Sequence, residues 1–299
     1  MMEPTPTLFS VVIPTYRRPE KLRACLKSLV LLEYPRDRFE VIVIDDGSEI
    51  SPSSLAASFS ADIDVRLLTQ YHAGPAAARN KGAAYARGSI LVFIDDDCEP
   101  AADWLHRLDL RFAAAPKSLI GGRTINALPS NPYSTASQLL MGYLLTRSGT
   151  QTEAPYFFAS NNLAVPKSSF LYVGGFNPRF PLAAGEDRDF CDRWISCGFQ
   201  MTYAPELRVY HRHRMTIGSF IKKHFTYGRG AYIFHKEKAG RSRKRMKLEN
   251  LTFYLNIVRF PFSLKVGWRA ALYAVLMLLS QTAITCGFVY EWRLKRHSG

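Results

Sequence analysis

Three consecutive carboxylates, Asp95, Asp96 and Asp97, directly follow an apolar segment in the stretch SILVFIDDDCEP at 89–100. A short apolar run rich in β-branched residues is typical of a strand that is buried on both faces. Like charges at adjacent positions repel each other, so the cluster is costly unless water or a cation neutralises it. Two interpretations are open: a solvated turn, or a site for a divalent metal ion.

Polar residues also fill three other loops, PTYRR at 14–18, DDGS at 45–48 and AGPAAARN at 73–80. Carboxylates in these loops suit the base and ribose of a nucleotide or a cation, and Arg79, near a predicted helix start, suits a phosphate. Taken singly, DDGS is ordinarily a turn and Arg79 ordinarily a surface charge. The sequence has neither GxGxxG nor GxxxxGK[ST], which disfavours a dinucleotide or P-loop site.

The elements that must position these loops alternate over the first 125 residues. Strand patterns lie at 9–13, 39–44, 64–68 and 89–94, and helical patterns lie at 18–32 and 75–88. Continuous apolar strands in this order predict an α/β fold with a mostly parallel sheet covered by helices on both faces. In such sheets ligands bind beyond the carboxyl ends of the strands, so the polar loops should converge in one crevice.

The ordered segments VVIPTYRR, VIVIDDGS, GPAAARNKGAAYARGSILVFIDDD, GGFNPRF and GEDRDFCDRW resemble the motif series of family 2 glycosyltransferases, over roughly residues 8–215. The resemblance implies the Rossmann-like GT-A fold, a nucleoside diphosphate sugar as donor and Mg²⁺ or Mn²⁺ as cofactor. In this family the acidic triplet, or DXD motif, holds the metal. The resemblance therefore implies Asp97 as the main metal ligand, Asp96 at the ribose or the metal, and Asp95 in a supporting role.

Two further sets of roles come from the same resemblance. The DDGS match implies Asp46 as the contact to the base, with Pro14, Thr15 and Arg17 as the floor of the nucleotide pocket. In the segment YHRHR, the family pattern implies a metal-ligating histidine, for which we favour His211 over His213. A lone histidine is more often structural.

Transfer to a hydroxyl needs a base opposite the leaving group, and the segment AGEDRDF offers carboxylates for it. By resemblance to the ED motif, Asp187 is the base and Glu186 its neighbour in acceptor binding. The alternative is an exposed helix start, where acidic residues are common. We expect Asp189 and Asp192 on the helix surface. The segment IGSFIKKHFTYGRG departs from the QxxRW pattern of processive synthases, so the resemblance does not extend to long-chain polymerisation.

Charge is distributed unevenly along the 299 residues. Residues 1–210 carry 21 basic against 22 acidic side chains, whereas residues 211–247 carry 12 against 1 and residues 248–299 carry 6 against 2. A near-neutral main domain followed by a basic segment argues against a nucleic-acid-binding protein. The five cysteines have no regular spacing, which favours a reducing, cytoplasmic location for the soluble part.

The segment AALYAVLMLLSQTAITCGFVY, at 270–290, has 21 residues without a charge, about the length that crosses ~30 Å of hydrocarbon. Trp268 and Trp292 flank it, as interfacial aromatics do. The alternative is a buried core helix. The preceding segment, from 251, contains Arg259, Pro261 and Lys265 and favours an interfacial helix. The basic cluster at 235–247 indicates the cytoplasmic face and an anionic membrane surface, although RLKR at 293–296 places charge at the other end too.

We therefore expect a GT-A domain at 1–215, a basic amphipathic juxtamembrane segment at 216–250, and an interfacial helix followed by one transmembrane helix (about 270–290) at 251–299. The expected enzyme is a membrane-bound, metal-dependent, inverting hexosyltransferase on the cytoplasmic side. Its acceptor would be a hydroxyl on a lipid-linked or cell-envelope glycan. Two alternatives remain open: sugar transfer to a polyprenyl phosphate, which needs no base, and a non-catalytic, membrane-tethered nucleotide-sugar-binding protein.

Overall fold

The computed structural model describes residues 9–146, 157–242, 250–264 and 266–297, and its centre is an eight-stranded sheet. The strands are β1 (Phe9–Thr15), β2 (Phe39–Asp45), β3 (Val65–Thr69), β4 (Ile90–Phe93), β5 (Cys98–Pro100), β6 (Leu119–Asn126), β7 (Leu163–Pro166) and β8 (Met201–His211). The helices are α1 (Pro19–Val30), α2 (Ser53–Ala57), α3 (Pro75–Tyr85), α4 (Trp104–Ala114), α5 (Pro132–Thr146), α6 (Lys167–Val173), α7 (Glu186–Ser196), α8 (Ile217–Ser242), α9 (Leu251–Ser263) and α10 (Arg269–His297).

The first four strands are parallel, in the order β3-β2-β1-β4. The register pairs Thr15 with Asp45 and Asp45 with Thr69, so three strands reach the same edge of the sheet together. The backbone N–H of Ile94 donates to the carbonyl of Val12, which brings the end of β4 to that edge as well. The polar loops predicted to converge therefore leave the sheet side by side.

Helices cover both faces of this sheet, as the uninterrupted apolar strands predict. Val11 and Ile13 lie in one core with Leu22 of α1 and Leu105 of α4. Val12, from the same strand, lies in the opposite core together with Phe190 and Trp194 of α7 and the alanines of α3. Since successive side chains of a strand point to opposite faces, burial of every residue requires a helical layer on each side.

The other half of the sheet is mixed. β7 is antiparallel to both of its neighbours, β4 and β6. β8 is parallel to β6 on one side and antiparallel to β5 on the other. Four of the seven strand pairs are therefore parallel, which confirms the mostly parallel α/β architecture. The β5–β8 pair matters most for function, because its register places Cys98 opposite His211. It brings the end of β8 beside the acidic triplet.

The C-terminal helices form an additional layer. α8 and α10 approach so closely that a Cβ on Gly228 would lie 1.9 Å from the carbonyl oxygen of Ile284, and a Cβ on Gly287 would lie 1.9 Å from that of Phe225. Tyr232, four residues after Gly228, contacts Phe288, four residues after Ile284. The two helices therefore run in the same direction. α9 packs against α10 and α5, with Ile257 in one cluster with Met277 and Leu140. Four basic residues of the predicted cluster, within 243–247, and Lys265 lie outside the described residues.

Among the described residues, one helix is long and apolar enough to cross a membrane, over Arg269–Arg296 with a mean hydropathy of 1.8. It contains the segment predicted to span. α9 covers most of the segment predicted to be interfacial, and Pro261 lies near its end.

Candidate active site

The acidic triplet lies in the loop that joins β4 to β5, and each of its three carboxylates has a different partner. Asp96 and Asp97 are buried, and Asp95 is partly buried. The solvated-turn interpretation does not hold for carboxylates that are 2% and 6% exposed. Burial makes the repulsion between them more costly, so each depends on the cations and donors around it.

Asp97 is surrounded by two histidines and a lysine. Its Oδ1 lies 3.1 Å from Nε2 of His211, and its Oδ2 lies 3.4 Å from Nδ1 of His213 and 3.0 Å from Nζ of Lys21. Burial alone would raise the pKa of Asp97, but the hydrogen bonds to His211 and His213 hold it well below its usual range. Burial lowers the pKa of His213 to about 4, so its imidazole is neutral at pH 7 and can act as a ligand.

These three residues have a donor set that fits a divalent metal ion. One ligand atom from each of Asp97, His211 and His213 lies within 4.8 Å of the others. A carboxylate with two imidazoles suits Mn²⁺, which accepts oxygen and nitrogen ligands. His213 was the alternative to His211 in the sequence; both reach Asp97 because β8 ends beside β5 and the chain then continues past the triplet. The signal that could have identified the pair is their spacing, one residue apart in YHRHR.

Asp96 faces a different set of partners. Its Oδ2 accepts a hydrogen bond of 2.7 Å from the hydroxyl of Thr15, and its Oδ1 lies 3.2 Å from Nη1 of Arg18. Burial raises the pKa of Asp96 to about 6, against the attraction of Arg18. Asp96 therefore links the triplet to the β1 loop, where the sequence placed the nucleotide pocket, and it does not belong to the Asp97–histidine cluster.

Asp46 holds the loop after β3 in place. Its carboxylate accepts hydrogen bonds from the backbone N–H groups of Ala73 and Gly74, both at 2.9 Å, and from the side chain of Gln70 at 2.7 Å. The Nδ1 of His72 lies 2.9 Å from it. This geometry assigns Asp46 a structural role in that loop; the predicted contact to a nucleotide base remains a prediction.

The β1 loop contains the residues predicted to form the floor of the nucleotide pocket, and that role stays a prediction. Pro14 is half-buried at the end of β1, and Arg17 adopts φ 55°, the one positive φ at a non-glycine residue in the described part of the chain. The backbone N–H of Arg17 donates to the hydroxyl of Ser48 at 2.8 Å, so the PTYRR and DDGS loops are fastened together. The rings of Tyr16 and His72 stack with centroids 4.2 Å apart. These contacts place a stacked aromatic pair beside the PTYRR and DDGS loops.

Arg79 connects the triplet to the second predicted carboxylate pair. Its guanidinium is 3% exposed and lies 2.6 Å from Oδ1 of Asp95 and 3.0 Å from Oε1 of Glu186. It also stacks against Phe176, at 5.6 Å. The structure places Arg79 between two carboxylates, which gives it a linking role; the predicted contact to a phosphate stays a prediction.

Glu186 and Asp187 begin α7, after Gly185 in a left-handed conformation. The helix-start interpretation is therefore correct for their position, but not for their exposure, since Glu186 is buried and Asp187 is partly buried in the cleft wall. Burial raises the pKa of both carboxyl groups, and for Glu186 the neighbouring Asp187 adds to the effect. Oε2 of Glu186 is buried and has no hydrogen-bond partner among the described residues.

The prediction that Asp189 and Asp192 lie on the surface of the helix is wrong for Asp189. Asp189 is fully buried and lies 2.8 Å from Nε of Arg193 and 2.7 Å from Nη1 of Arg241. Asp192 is half-buried and pairs with Lys238 and Arg241. Both carboxylates therefore fasten the end of α8 to α7. Asp189 is buried because basic residues of α8 pack against it. From the sequence, these basic residues were expected to contact only a membrane surface.

One cleft of about 2470 Å³ is lined by several of these residues. Pro14, Thr15, Arg17, Asp46 and Asp96 are not among the described residues that line it. Its polar end contains Asp95, Asp97, His211, Glu186 and Asp187. From there it extends between α5 and the C-terminal helices, where its lining becomes apolar, with Leu140, Phe253, Ile257, Ile284 and Phe288 among the lining residues. The cleft is large enough for a nucleotide and a second, partly apolar molecule together.

Residues 10–179 match the sequence profile of Glycosyl transferase family 2. The chain is similar to Glycosyltransferase AglE of Haloferax volcanii, 29% identical over 231 residues that cover 77% of this chain and 74% of the relative. It is also similar to the Pre-mycofactocin glycosyltransferase of Mycobacterium tuberculosis, 32% identical over 74% of this chain but only 46% of that longer protein.

Two solved structures share the fold. The mannosyltransferase PcManGT from Pyrobaculum calidifontis, in complex with GDP-Man and Mn²⁺, superimposes with a TM-score of 0.69 at 16% identity, over 96% of this chain and 88% of the other. S. aureus TarS in complex with UDP-GlcNAc superimposes with a TM-score of 0.58 at 15% identity, over 97% of this chain and 92% of the other. The GT-A architecture expected from the sequence is thereby confirmed.

Proposed function

The chain belongs to glycosyl transferase family 2, and from that premise we propose that it is a metal-dependent, inverting hexosyltransferase. It moves one sugar from a nucleoside diphosphate sugar to an acceptor hydroxyl. The observation that supports this proposal most strongly is that a single cleft contains both the Asp97–His211–His213 cluster and the Glu186–Asp187 pair. Donor activation and acceptor deprotonation need two such groups facing one space.

On the donor side, Asp97, His211 and His213 would hold Mg²⁺ or Mn²⁺, and the N/O donor set favours Mn²⁺. When bound, the metal neutralises charge on the diphosphate as it leaves. Arg18 and Lys21, both partly exposed and already beside the triplet, supply further positive charge for that diphosphate. The stacked Tyr16 and His72 offer an apolar surface to the nucleotide base.

On the acceptor side, Asp187 accepts the proton of the attacking hydroxyl. Its raised pKa makes it a stronger base than a carboxylate in water, which suits proton transfer near neutral pH. The unpartnered Oε2 of Glu186 can accept a hydrogen bond from a second acceptor hydroxyl. Attack from the side opposite the diphosphate inverts the anomeric configuration. Arg79 pairs with both Glu186 and Asp95 and so holds these two carboxylates at a fixed separation.

Two features support the donor and acceptor classes. The structural relatives are complexes with GDP-Man and Mn²⁺ and with UDP-GlcNAc, so a nucleotide sugar and a metal are the natural probes for this chain. The cleft also continues from the carboxylates into an apolar region between α5, α9 and α10. An acceptor that joins a sugar to an apolar group, such as a lipid-linked glycan, matches this change in lining.

We place the enzyme at the cell membrane with its catalytic domain in the cytoplasm. The apolar helix α10, the basic residues of α8 and five unpaired cysteines support this location. An anionic membrane surface would attract the basic segment.

The test is a transfer assay with the purified full chain, radiolabelled UDP- or GDP-sugars and membrane extract as the acceptor source, with Mn²⁺ or with EDTA. The proposal expects a Mn²⁺-dependent product with inverted anomeric configuration, from which mild acid releases no labelled monosaccharide. An acid-labile sugar phosphate would instead identify transfer to a polyprenyl phosphate. Donor binding without any product, across all extracts, would identify a binding protein.

A further inference from the structure

The pairing of α8 with α10 restricts how the C-terminal helices can meet a membrane. The glycine contacts, Gly228 on Ile284 and Gly287 on Phe225, fix the two helices backbone to backbone. Arg229 pairs with Glu291 at 2.7 Å, and Glu291 is buried. Phe220, Gly228 and Tyr232 of α8 contact α10 at successive positions from Leu276 to Phe288. α8 therefore packs along the central part of the apolar helix.

α8 is too highly charged to enter hydrocarbon beside α10. The offset that pairs Gly228 with Ile284 and Tyr232 with Phe288 places Lys222 level with Leu278. Leu278 is nine residues into α10, or ~14 Å along its axis, which is the middle of a bilayer if α10 crosses it. Lys222 is exposed. A cation at that depth is among the most costly placements in a membrane. α8 is also tied to α7 by Lys238 and Arg241, so it cannot move away without breaking those ion pairs.

α10 has two faces with different surroundings. One face is covered by α8, α9 and α5 and contains Tyr273, Met277 and Ser280. The opposite face, here called the outer face, is exposed and consists of Leu272, Val275, Leu278, Thr282, Cys286 and Val289. The most exposed of the large apolar side chains on the outer face, Val275 and Leu278, are 63% and 58% exposed. A helix that is apolar on both faces, with protein on one of them, needs an apolar phase on the other.

Charge and aromatic residues at both ends of the outer face indicate what covers it. Trp268 lies beside Arg269 at one end, at 5.9 Å, and Trp292 lies beside Arg296 at the other, at 4.8 Å. All four side chains are exposed. Tryptophan and arginine favour the level of lipid headgroups. Residues 248–299 also carry 6 basic against 2 acidic side chains, which complements an anionic surface.

We propose that α10 lies in the plane of an anionic phospholipid bilayer, with its outer face among the headgroups and upper acyl chains, and does not cross the membrane. The inference rests on the proposed membrane location but specifies its geometry. α9 also has exposed apolar side chains, Leu255 and Phe262, which are 44% and 61% exposed. Thr285 and Val289 of α10 also line the cleft, so docking in this orientation brings the cleft next to the membrane.

The first measurement is flotation of the full chain with vesicles of phosphatidylcholine containing 30 mol% phosphatidylglycerol (about the anionic fraction that gives a strong surface potential). Val275→Glu with Leu278→Glu should reduce the bound fraction at least about tenfold. Each change removes an apolar group that the bilayer would bury, and each adds an anion. Leu171→Glu is the matched control, since Leu171 is 55% exposed on α6, away from this surface. It should float like the wild type.

The second measurement determines depth. A nitroxide is attached through Leu278→Cys after Cys197→Ser and Cys286→Ser remove the two exposed thiols. In-plane binding puts the label at about 5–10 Å below the headgroups, whereas a spanning helix puts it at the bilayer centre, ~15 Å deep. If the wild-type chain does not float, the membrane location and the in-plane geometry are both wrong. If it floats but the label is at the centre, or if the double glutamate variant binds undiminished, only the in-plane geometry is wrong.

Discussion

Arg79 and Glu186, 107 positions apart in the chain, lie 3.0 Å apart in the wall of the cleft. The same guanidinium contacts Asp95, so one buried cation joins the acidic triplet to the start of α7. A rigid link of this kind keeps the carboxylates proposed to serve the donor and the acceptor at a fixed separation. Precise separation is what converts two weak functional groups into a catalytic pair.

Arg79→Lys should therefore reduce turnover more than it reduces donor affinity. A lysine keeps the charge but cannot bridge two carboxylates with a planar fork. We expect kcat to fall about 10-fold to 100-fold with the KM for the donor within a few-fold of wild type. Arg87→Lys is the control, because Arg87 pairs with Glu40 away from the cleft. A rise in donor KM without a change in kcat would show that Arg79 binds phosphate directly.

Asp97→Ala should abolish metal-dependent donor binding and leave the fold intact. The change removes the shared carboxylate of the cluster, and it also relieves repulsion with Asp96. Calorimetric titration of UDP and GDP with Mn²⁺ measures the loss. His213→Ala should weaken Mn²⁺-dependent binding as well, whereas His106→Ala, an exposed histidine on α4, should not. Undiminished affinity in Asp97→Ala would rule out this metal site.

Asp187→Asn tests the proposed base. The amide keeps the shape of the side chain but cannot accept the proton, so turnover should fall by roughly 10²-fold to 10⁴-fold, the usual contribution of a general base. Donor affinity should barely change, because the base acts mainly in the transition state. Asp37→Asn, at an exposed position, is the control. Loss of donor binding together with turnover would instead place Asp187 in the nucleotide site.

Glu40 should make stability depend on pH. It is fully buried and accepts hydrogen bonds from Ser10 and from the backbone and side chain of Arg87. Burial alone would raise the pKa of Glu40, but these donors, with Arg66, lower it below its usual value. Its stabilising contribution is therefore complete above the unfolded-state pKa of ~4.3 and is lost as pH falls through the lower folded-state pKa.

Glu40→Gln should lower the free energy of unfolding by about 1–3 kcal/mol at pH 7, measured by urea denaturation. The difference between variant and wild type should shrink below pH 4. A difference that stays constant down to pH 3 would contradict the assignment. Glu33→Gln, which changes an exposed carboxylate, controls for net charge.

Gly228→Ala should loosen the α8–α10 pair. The added methyl would lie 1.9 Å from a backbone carbonyl, so the helices must separate. Overpacking of this kind costs about 1–3 kcal/mol, which thermal unfolding and limited proteolysis of the C-terminal helices would reveal. Gly240→Ala lies on the same helix with no atom within 4 Å of its Cβ, and should stabilise by up to about 1 kcal/mol.

The parallel half of the fold could be predicted because each of its strands and helices has a clear pattern of apolar residues within its own segment. The apolar strands and the helix from Pro75 follow from periodicity, and the structure confirms them within a few residues. The antiparallel strands β5 and β7 could not be predicted, since strands of three and four residues carry little pattern and their partners are distant in sequence. The same limit applies to the site. The triplet was evident in the sequence, but the pairing of Arg79 with Glu186 and the burial of Asp189 depend on contacts between remote segments.

The glycine contact between α8 and α10 also has a consequence for biosynthesis. Gly228 and Gly287 are separated by 59 positions, so α8 emerges from the ribosome well before its partner exists. At about 5–20 residues per second, translation leaves the glycine face of α8 uncovered for roughly 3–12 s. During that interval the catalytic sheet can already close around β8, because all its strands have been made. The layer of α8 and α10 thus assembles after the strands of the catalytic sheet, and a nascent chain is competent to fold that sheet before it acquires its apolar outer face.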